Sequence, residues 1–151
     1  QFHAHTVTRR YLAIVPGFPQ IRTIQSFLVR DRGDGRRGST SIEGQGKEAI
    51  THLEAKEWLG HYTLMECRLE TGRTHQIRIH LAEHGHPVCG EKVYIHRLHA
   101  PPFEDKSGAP RLALHAAELG FEHPVSGDEL SWTMDLPQDL QDLLEQMRKQ
   151  P

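Results

Sequence analysis

The chain has 151 residues, of which 36% are hydrophobic and 25% charged. This length and composition predict one globular domain with a real core, and they argue against a disordered or membrane-spanning chain. The formal net charge of −2 argues against a general binder of polyanions, although a local basic surface remains compatible with it. The two cysteines cannot form a disulfide framework, so we expect a reducing, cytoplasmic setting.

The first half of the chain alternates like a sheet. β-branched and aromatic residues predict a strand over residues 6–15 that ends at Pro16-Gly17, and an apolar run predicts a second over 24–29. Five glycines predict a flexible loop at about 31–46. Alternation over residues 48–58 and 61–70 then predicts an antiparallel hairpin, with one face formed by Ala49, Thr51, Leu53 and Ala55 and by Thr63, Met65, Cys67 and Leu69.

The second half begins with a change of period. Thr74 can serve as an N-cap and Gly85 as a C-terminal stop, which predicts a short helix over residues 75–84. Residues 112–122 and 129–134 suit a second hairpin. Leucines and a methionine after Pro137 predict an amphipathic helix over 136–147. The fold class expected is α+β, a mostly antiparallel mixed sheet with a few short helices in a single domain.

The chemistry is concentrated at the start of the 75–84 helix. Arg73, His75, Gln76 and Arg78 crowd one strand-to-helix turn, where free backbone N–H groups and the helix dipole favour an anion such as phosphate. Arg78 lies between apolar neighbours, so its guanidinium is expected to need a carboxylate partner. A capped helix with solvated polar residues explains the same pattern about equally well from chemistry alone.

Two further polar groups invite a functional interpretation. His80, His84, His86 and Cys89 have spacings that a metal could exploit, but no His-Glu-x-x-His or paired-cysteine motif accompanies them, so we expect no metal here. Arginines 30, 32, 36 and 37 of the loop could touch RNA phosphates, yet a basic glycine-rich loop is more often simply solvated.

The most informative segment is the string Glu70-Thr71-Gly72-Arg73-Thr74-His75-Gln76-Ile77-Arg78-Ile79-His80-Leu81-Ala82, which is followed by Gly85-His86-Pro87-Val88 and Gly90. This segment closely resembles a motif of RluA-type RNA pseudouridine synthases. Further matches follow the family's order along nearly the whole chain: Thr8-Arg9-Arg10-Tyr11-Leu12-Ala13 for its tyrosine motif, with Arg9 where lysine is common, Lys47-Glu48-Ala49-Ile50-Thr51 for its central hairpin, Leu112 to Pro124 for its C-terminal strand pair, and Leu136-Pro137. The chain is therefore interpreted as the C-terminal part of such a catalytic domain.

The resemblance implies an isomerase that turns specific uridines of ribosomal or transfer RNA into pseudouridine after flipping the base from its stack. It implies that Tyr11 stacks on the uracil and aids proton transfer, and that Arg78 pairs with the catalytic aspartate. Arg73, Thr74, His75 and Gln76 would bind RNA. It implies no metal and no organic cofactor.

One departure from the family pattern is important. The catalytic aspartate belongs to a His-Arg-Leu-Asp motif expected upstream of this chain, so Arg78 is expected to lack its partner within residues 1–151 and the chain alone to be inactive. His96-Arg97-Leu98-His99 resembles that motif but ends in histidine, and we interpret it as coincidence. Two alternatives remain, a non-catalytic RNA-binding remnant and a small metal-binding hydrolase. The sequence leaves open the target uridine, the oligomeric state and any additional RNA-binding domain.

Overall fold

A computed structural model describes residues 7–96 and 100–149. Its elements are strands β1 (Thr8–Pro16), β2 (Thr23–Val29), β3 (Gly38–Thr40), β4 (Lys47–Leu59) and β5 (Tyr62–Leu69), helix α1 (Gln76–Glu83), strands β6 (Leu114–Glu122) and β7 (Glu129–Thr133), and helix α2 (Gln138–Arg148). The seven strands form one sheet in the order β3-β2-β4-β5-β1-β6-β7. Every strand pair in the described ranges is antiparallel, which confirms the predicted α+β class.

The hairpin β4–β5 forms the centre of the sheet and follows the predicted alternation. Ala49, Thr51 and Leu53 are buried, whereas Ala55 is exposed where the pairing with β5 slips by one residue. The strand returns to the core at its last residue, Leu59, which is buried. The predicted face of β4 is therefore confirmed only as far as Leu53.

Strand β1 lies between β5 and β6 and carries Tyr11 opposite Cys67 on one side and Ala116 on the other. The pairing with β6 shifts register between Arg10 and Tyr11, so a bulge precedes the tyrosine. Residue 6, which the sequence analysis placed in this strand, lies outside the described residues, as do residues 97–99 of the His96-Arg97-Leu98-His99 string.

The loop predicted over residues 31–46 contains a short strand that the sequence analysis missed. β3 pairs with the end of β2 at the edge of the sheet, with Leu28 opposite Ser39. Ser39 is also bound to α1, because its backbone N and its hydroxyl donate to the carboxylate of Glu83 over 2.8 and 2.5 Å. A continuous loop is thus wrong for residues 38–40, while the mobility of the remainder stays a prediction.

Helix α1 packs on the face of the sheet that carries Thr51, because His80 of this helix is hydrogen-bonded to Thr51. The predicted stop at Gly85 is confirmed: its φ is 85°, and the N–H groups of Gly85 and His86 donate to the carbonyls of Ala82 and Leu81, a Schellman ending. The predicted N-cap is wrong. The capping position belongs to His75, without a side-chain cap bond, and Thr74 lies one residue earlier.

Helix α2 confirms the predicted amphipathic pattern, since Leu140, Leu143, Leu144 and Met147 are buried in the main core. Arg148 at its end holds Glu57 of β4 through two hydrogen bonds of 2.8 and 2.7 Å. In the described part of the chain, neither helix has the length and apolar character that crossing a bilayer requires.

Candidate functional site

The turn before α1 is stabilised from the protein interior by the buried side chain of Gln76. The amide oxygen Oε1 accepts bonds from the Thr71 hydroxyl (2.8 Å) and the Arg73 backbone N (3.0 Å), and Nε2 donates to Ile50 O and Thr51 Oγ1, both at 2.9 Å. All four bonds available to this amide are therefore made inside the domain. Gln76 shapes the turn and does not face outward, which corrects its expected place among residues at the RNA surface.

Gly72 permits the close approach that this turn needs. A Cβ at this position would collide with the guanidinium of Arg9, whose Nη2 donates to the carbonyl of Glu70 over 3.1 Å. The tyrosine-motif strand and the turn are thereby held together beside the start of α1. Thr74 and His75 follow as exposed residues, and Arg73 is half-buried.

His75 has an unusual backbone conformation. Its φ is 57°, and it is the one non-glycine residue with positive φ in residues 7–96 and 100–149. Such a conformation costs about 1–2 kcal/mol for a residue with a Cβ and is typical of functional sites. Nδ1 of His75 lies 2.8 Å from the hydroxyl oxygen of Tyr94. Although His75 is exposed as a whole, partial desolvation of its ring, followed by the nearby guanidinium groups of Arg78 and Arg37, lowers the pKa of His75, which favours the neutral ring.

Arg78 has a carboxylate partner inside the chain. Its Nε and Nη2 donate to the two oxygens of Glu91 over 2.7 and 2.6 Å, and its Cζ lies 5.0 Å from the ring centre of Tyr94. The hydrogen bonds to Glu91 raise the pKa of Arg78 despite its burial. The expectation that Arg78 lacks a partner within residues 1–151 is therefore wrong, because Glu91 supplies the carboxylate.

Tyr11 shares the α1 face of the sheet. Its cross-strand partner Cys67 lies opposite Leu53, and Leu53 and Thr51 point to the same side because alternate residues of a strand do so. Tyr11 is half-buried and packs against the core cluster that contains Ile77 and Leu81 of α1. The structure thus places Tyr11 and the Arg78 helix on one face, as a joint site requires.

A basic groove of about 480 Å³ opens beside the turn. Its lining includes four cationic side chains, from Arg30, Arg37, Lys47 and Arg73, together with Thr74. The Nε of Arg73 donates to the backbone carbonyl of Glu48 over 2.8 Å, which orients its guanidinium. This groove concentrates positive charge in a chain whose net charge is slightly negative, and Lys47 was not among the residues expected there.

Another arginine of the loop, Arg32, has a structural role. Its guanidinium lies within 4 Å of both Asp34 and Glu83, its Nη2 also donates to the carbonyl of His96, and its side chain is 5% exposed. It braces β3 and α1, so the suggestion that it contacts RNA phosphates finds no support in its geometry.

The histidine group has no common focus. His80 is fully buried, with Nε2 3.0 Å from Ser26 Oγ and Nδ1 2.9 Å from Thr51 Oγ1. The Nδ1 atoms of His84 and His86 lie 2.8 Å from different backbone carbonyls, those of His80 and Pro16. Within the described ranges, no three histidine, cysteine or acidic side chains are grouped as metal ligands. The absence of a metal stays a prediction.

These features define the class of protein: an antiparallel sheet that presents a tyrosine and an ion-paired arginine on one face, next to a groove lined by four cationic side chains. The family model for RNA pseudouridylate synthases matches residues 1–83, and the chain belongs to this family. Ribosomal large subunit pseudouridine synthase D of Zymomonas mobilis is 41% identical over 143 residues, with 93% of this chain and 45% of the relative covered. An RNA pseudouridine synthase of Bacillus subtilis is 41% identical over 146 residues, with 95% and 45% covered.

Two solved human structures have the same fold. RNA pseudouridylate synthase domain containing 4 gives a TM-score of 0.75 at 23% identity, with 97% of this chain and 64% of that chain covered. RNA pseudouridylate synthase domain containing 1 gives a TM-score of 0.69 at 24% identity, with 99% and 69% covered. The chain spans less than half the length of the curated relatives described above.

Proposed function

We propose that the protein carrying this chain isomerises uridine to pseudouridine in RNA, with residues 1–151 supplying Tyr11, Arg78 and part of the RNA surface. The observation that carries the proposal is the preassembled Arg78 on α1, on the sheet face that also holds Tyr11, in a chain of this family. The catalytic aspartate is expected from a segment upstream of residue 1.

The reaction asks for two things that these side chains can provide. It breaks the N1–C1′ bond of uridine, turns the uracil, forms the C5–C1′ bond, releases the C5 proton and leaves a proton on N1, with no net gain or loss of atoms. An arginine keeps a catalytic carboxylate ionised and aimed by a charge-assisted hydrogen bond. A tyrosine offers a flat face to the flipped base and a hydroxyl for proton transfer.

Recognition of RNA is supported by the basic groove and by the exposed residues of the turn. Four cationic side chains line the groove, and Arg73 and Thr74 belong both to it and to the turn. Phosphates bind such clusters without sequence preference and fix the register of the strand. His75 is exposed at the helix start, where it can meet sugar or base.

Large-subunit ribosomal RNA is the substrate we favour, because the printed names of several relatives state that substrate. Transfer RNA is the competing substrate. The cytoplasm is the expected location, since ribosomal RNA is modified there and the two described cysteines are buried, unpaired thiols.

The test uses RNA labelled with tritium at C5 of uridine. Each isomerisation releases one tritium to water, because C5 loses its hydrogen when it becomes the glycosidic carbon. The complete protein is incubated with large-subunit ribosomal RNA and, separately, with bulk transfer RNA. Stoichiometric release from the first supports the proposal, and release from the second alone reassigns the substrate.

A non-catalytic RNA-binding remnant would give a different pattern. It would bind the RNA in a salt-dependent manner and release no tritium from either substrate, even at enzyme excess. Residues 1–151 alone are expected to behave in this way, since no catalytic aspartate of the family motif is among them. Robust release by residues 1–151 alone would show that another residue serves as catalyst.

A further inference from the structure

Glu91 is a carboxylate held in place by its own backbone. It follows Gly90 in the segment after α1, and its side chain is 1% exposed. Its Oε1 accepts bonds from the backbone N atoms of Lys92 at 2.9 Å, Val93 at 2.8 Å and Tyr94 at 3.3 Å. Burial raises the pKa of Glu91, but the bonds from Arg78 and from these backbone N–H groups outweigh it and lower the pKa overall. Glu91 is therefore a fixed anion.

This fixed anion is hydrogen-bonded to one edge of the Arg78 guanidinium and leaves the other edge available to a second acceptor. Glu91 takes Nε and Nη2, while the ring of Tyr94 lies 5.0 Å from Cζ. None of the described residues accepts a hydrogen bond from Nη1, and the Arg78 side chain is 17% exposed. A guanidinium carries five N–H donors in a rigid plane, so holding one edge fixes the direction of the others.

We propose that Glu91 is a positioning residue that fixes Arg78 so that its Nη1 edge is presented to the catalytic carboxylate. This inference rests on the proposed function. The charge of Arg78 is already balanced by Glu91, so a second carboxylate gains orientation from Arg78 more than it gains neutralisation. A flexible arginine side chain would otherwise have to be ordered in every catalytic cycle.

A purely structural ion pair would look different, and the chain contains one for comparison. Arg148 and Glu57 share the same two-pronged geometry, but their side chains are 46% and 36% exposed and they join α2 to β4. Neither residue contacts the turn, the groove or Tyr94 in the described structure. Glu57→Gln is therefore a matched control for the loss of one such pair.

The test compares Glu91→Gln, Glu91→Asp and Glu57→Gln in the complete protein, by single-turnover tritium release and by RNA affinity. Glutamine cannot accept from both Arg78 nitrogens, and aspartate is too short to reach them while it holds the backbone N–H groups. We expect the rate to fall about 100-fold for Glu91→Gln and about 10-fold for Glu91→Asp, the scale of a misplacement near 1 Å. RNA affinity and the Glu57→Gln rate should stay within about threefold of wild type.

Repeating the Glu91 substitutions in an Arg78→Ala background separates positioning from mere support of the fold. If Glu91 acts through Arg78, they cause no further loss of rate there. An equal loss in both backgrounds overturns the inference. So does a folded Glu91→Gln protein whose rate is unchanged or raised. If Glu91→Gln does not fold, Glu91→Asp decides by the same criteria. Absence of tritium release from wild type defeats the proposed function instead, which keeps the two failures distinct.

Discussion

His75 Nδ1 and the Tyr94 hydroxyl oxygen lie 2.8 Å apart, and this contact holds a histidine whose backbone occupies the left-handed region. The two rings meet edge to face, with centroids 5.6 Å apart. A glycine would adopt this backbone without strain, so the presence of histidine indicates that the ring is needed for something other than the turn.

Comparison of His75→Gly with His75→Ala tests that interpretation. Both remove the ring, but only alanine keeps the strain of a Cβ at positive φ, so glycine should be the more stable by about 0.5–1 kcal/mol in urea unfolding. Both variants should lose RNA affinity or turnover together. An alanine variant more stable than the glycine variant would show that φ at this position is not left-handed in solution.

Substitution of Arg78 separates geometry from charge. Arg78→Lys keeps a cation near Glu91 but loses the planar fork, so we expect turnover to fall by about 100-fold with the fold intact. Arg78→Ala leaves a carboxylate that is 1% exposed without its cation and should cost about 3–5 kcal/mol of unfolding free energy. Tritium release and denaturant unfolding measure the two effects. Near-normal turnover of Arg78→Lys would make Arg78 peripheral to the chemistry.

The pH dependence of stability should carry a contribution from His80. Burial, with a smaller effect of His84, lowers the pKa of His80 to about 4. The unfolded chain binds the proton at about pH 6.5 and the native state does not, so the contribution is fully present above pH 6.5 and is lost as pH falls toward 4. It amounts to about 3 kcal/mol.

The measurement is the unfolding free energy at pH 7 and at pH 4.5, for wild type and for His80→Asn. Carboxylates of the unfolded chain begin to bind protons at the acid end of this range, so the difference between the two proteins isolates the histidine. His61→Gln, at an exposed position, is the control and should follow wild type. Parallel pH profiles for wild type and His80→Asn would contradict the assignment.

The groove should contribute to RNA affinity as independent phosphate contacts. Arg37→Ala and Lys47→Ala should each weaken binding and reduce the slope of log K against log salt by about 1, whatever the RNA sequence. Arg148→Ala on α2 is the matched control, because Arg148 lies outside the groove lining. Filter binding at several salt concentrations measures the slopes. An unchanged slope in both groove variants would remove the groove from the RNA path.

The loop around β3 should have two levels of protection in hydrogen exchange. Residues 41–46 are exposed for most of their length, whereas Ser39 is bound to Glu83 and paired with β2. We therefore expect rapid exchange over residues 41–46 and slower exchange at Ser39. Uniform protection across residues 31–46 would overturn the predicted mobility.

Most of the sheet could be predicted because alternate residues of its strands are apolar and buried, as Met65 and Cys67 are. β3 was missed because Gly38–Thr40 is too short to show a period, and its pairing depends on Glu83, which is distant in sequence. Thr74 failed as an N-cap because the backbone N of Gln76, which it would have capped, donates to the carbonyl of Arg73 instead. The local pattern of residues could not show that.

The predicted site residues divide in a similar way. Arg73 and Arg78 were placed by their motif, and Tyr11 shares the face of α1. Glu91 and Tyr94 carried no periodic signal, since they lie in an irregular segment whose path is fixed by contacts such as Cys89 N to Ile14 O. The need of Arg78 for a carboxylate was foreseen, but its identity required the tertiary structure.

The position of β1 between β5 and β6 also has a consequence for synthesis of the chain. β1 is made before the other strands described, yet one of its two hydrogen-bonding partners, Leu114–Glu122, follows roughly 100 residues later. At translation rates of about 5–20 residues per second, the edge of this apolar strand that pairs with β6 stays uncovered for roughly 5–20 seconds. An edge of β1 is therefore open to strand-to-strand aggregation until β6 leaves the ribosome, the kind of machine whose RNA its relatives are named for modifying.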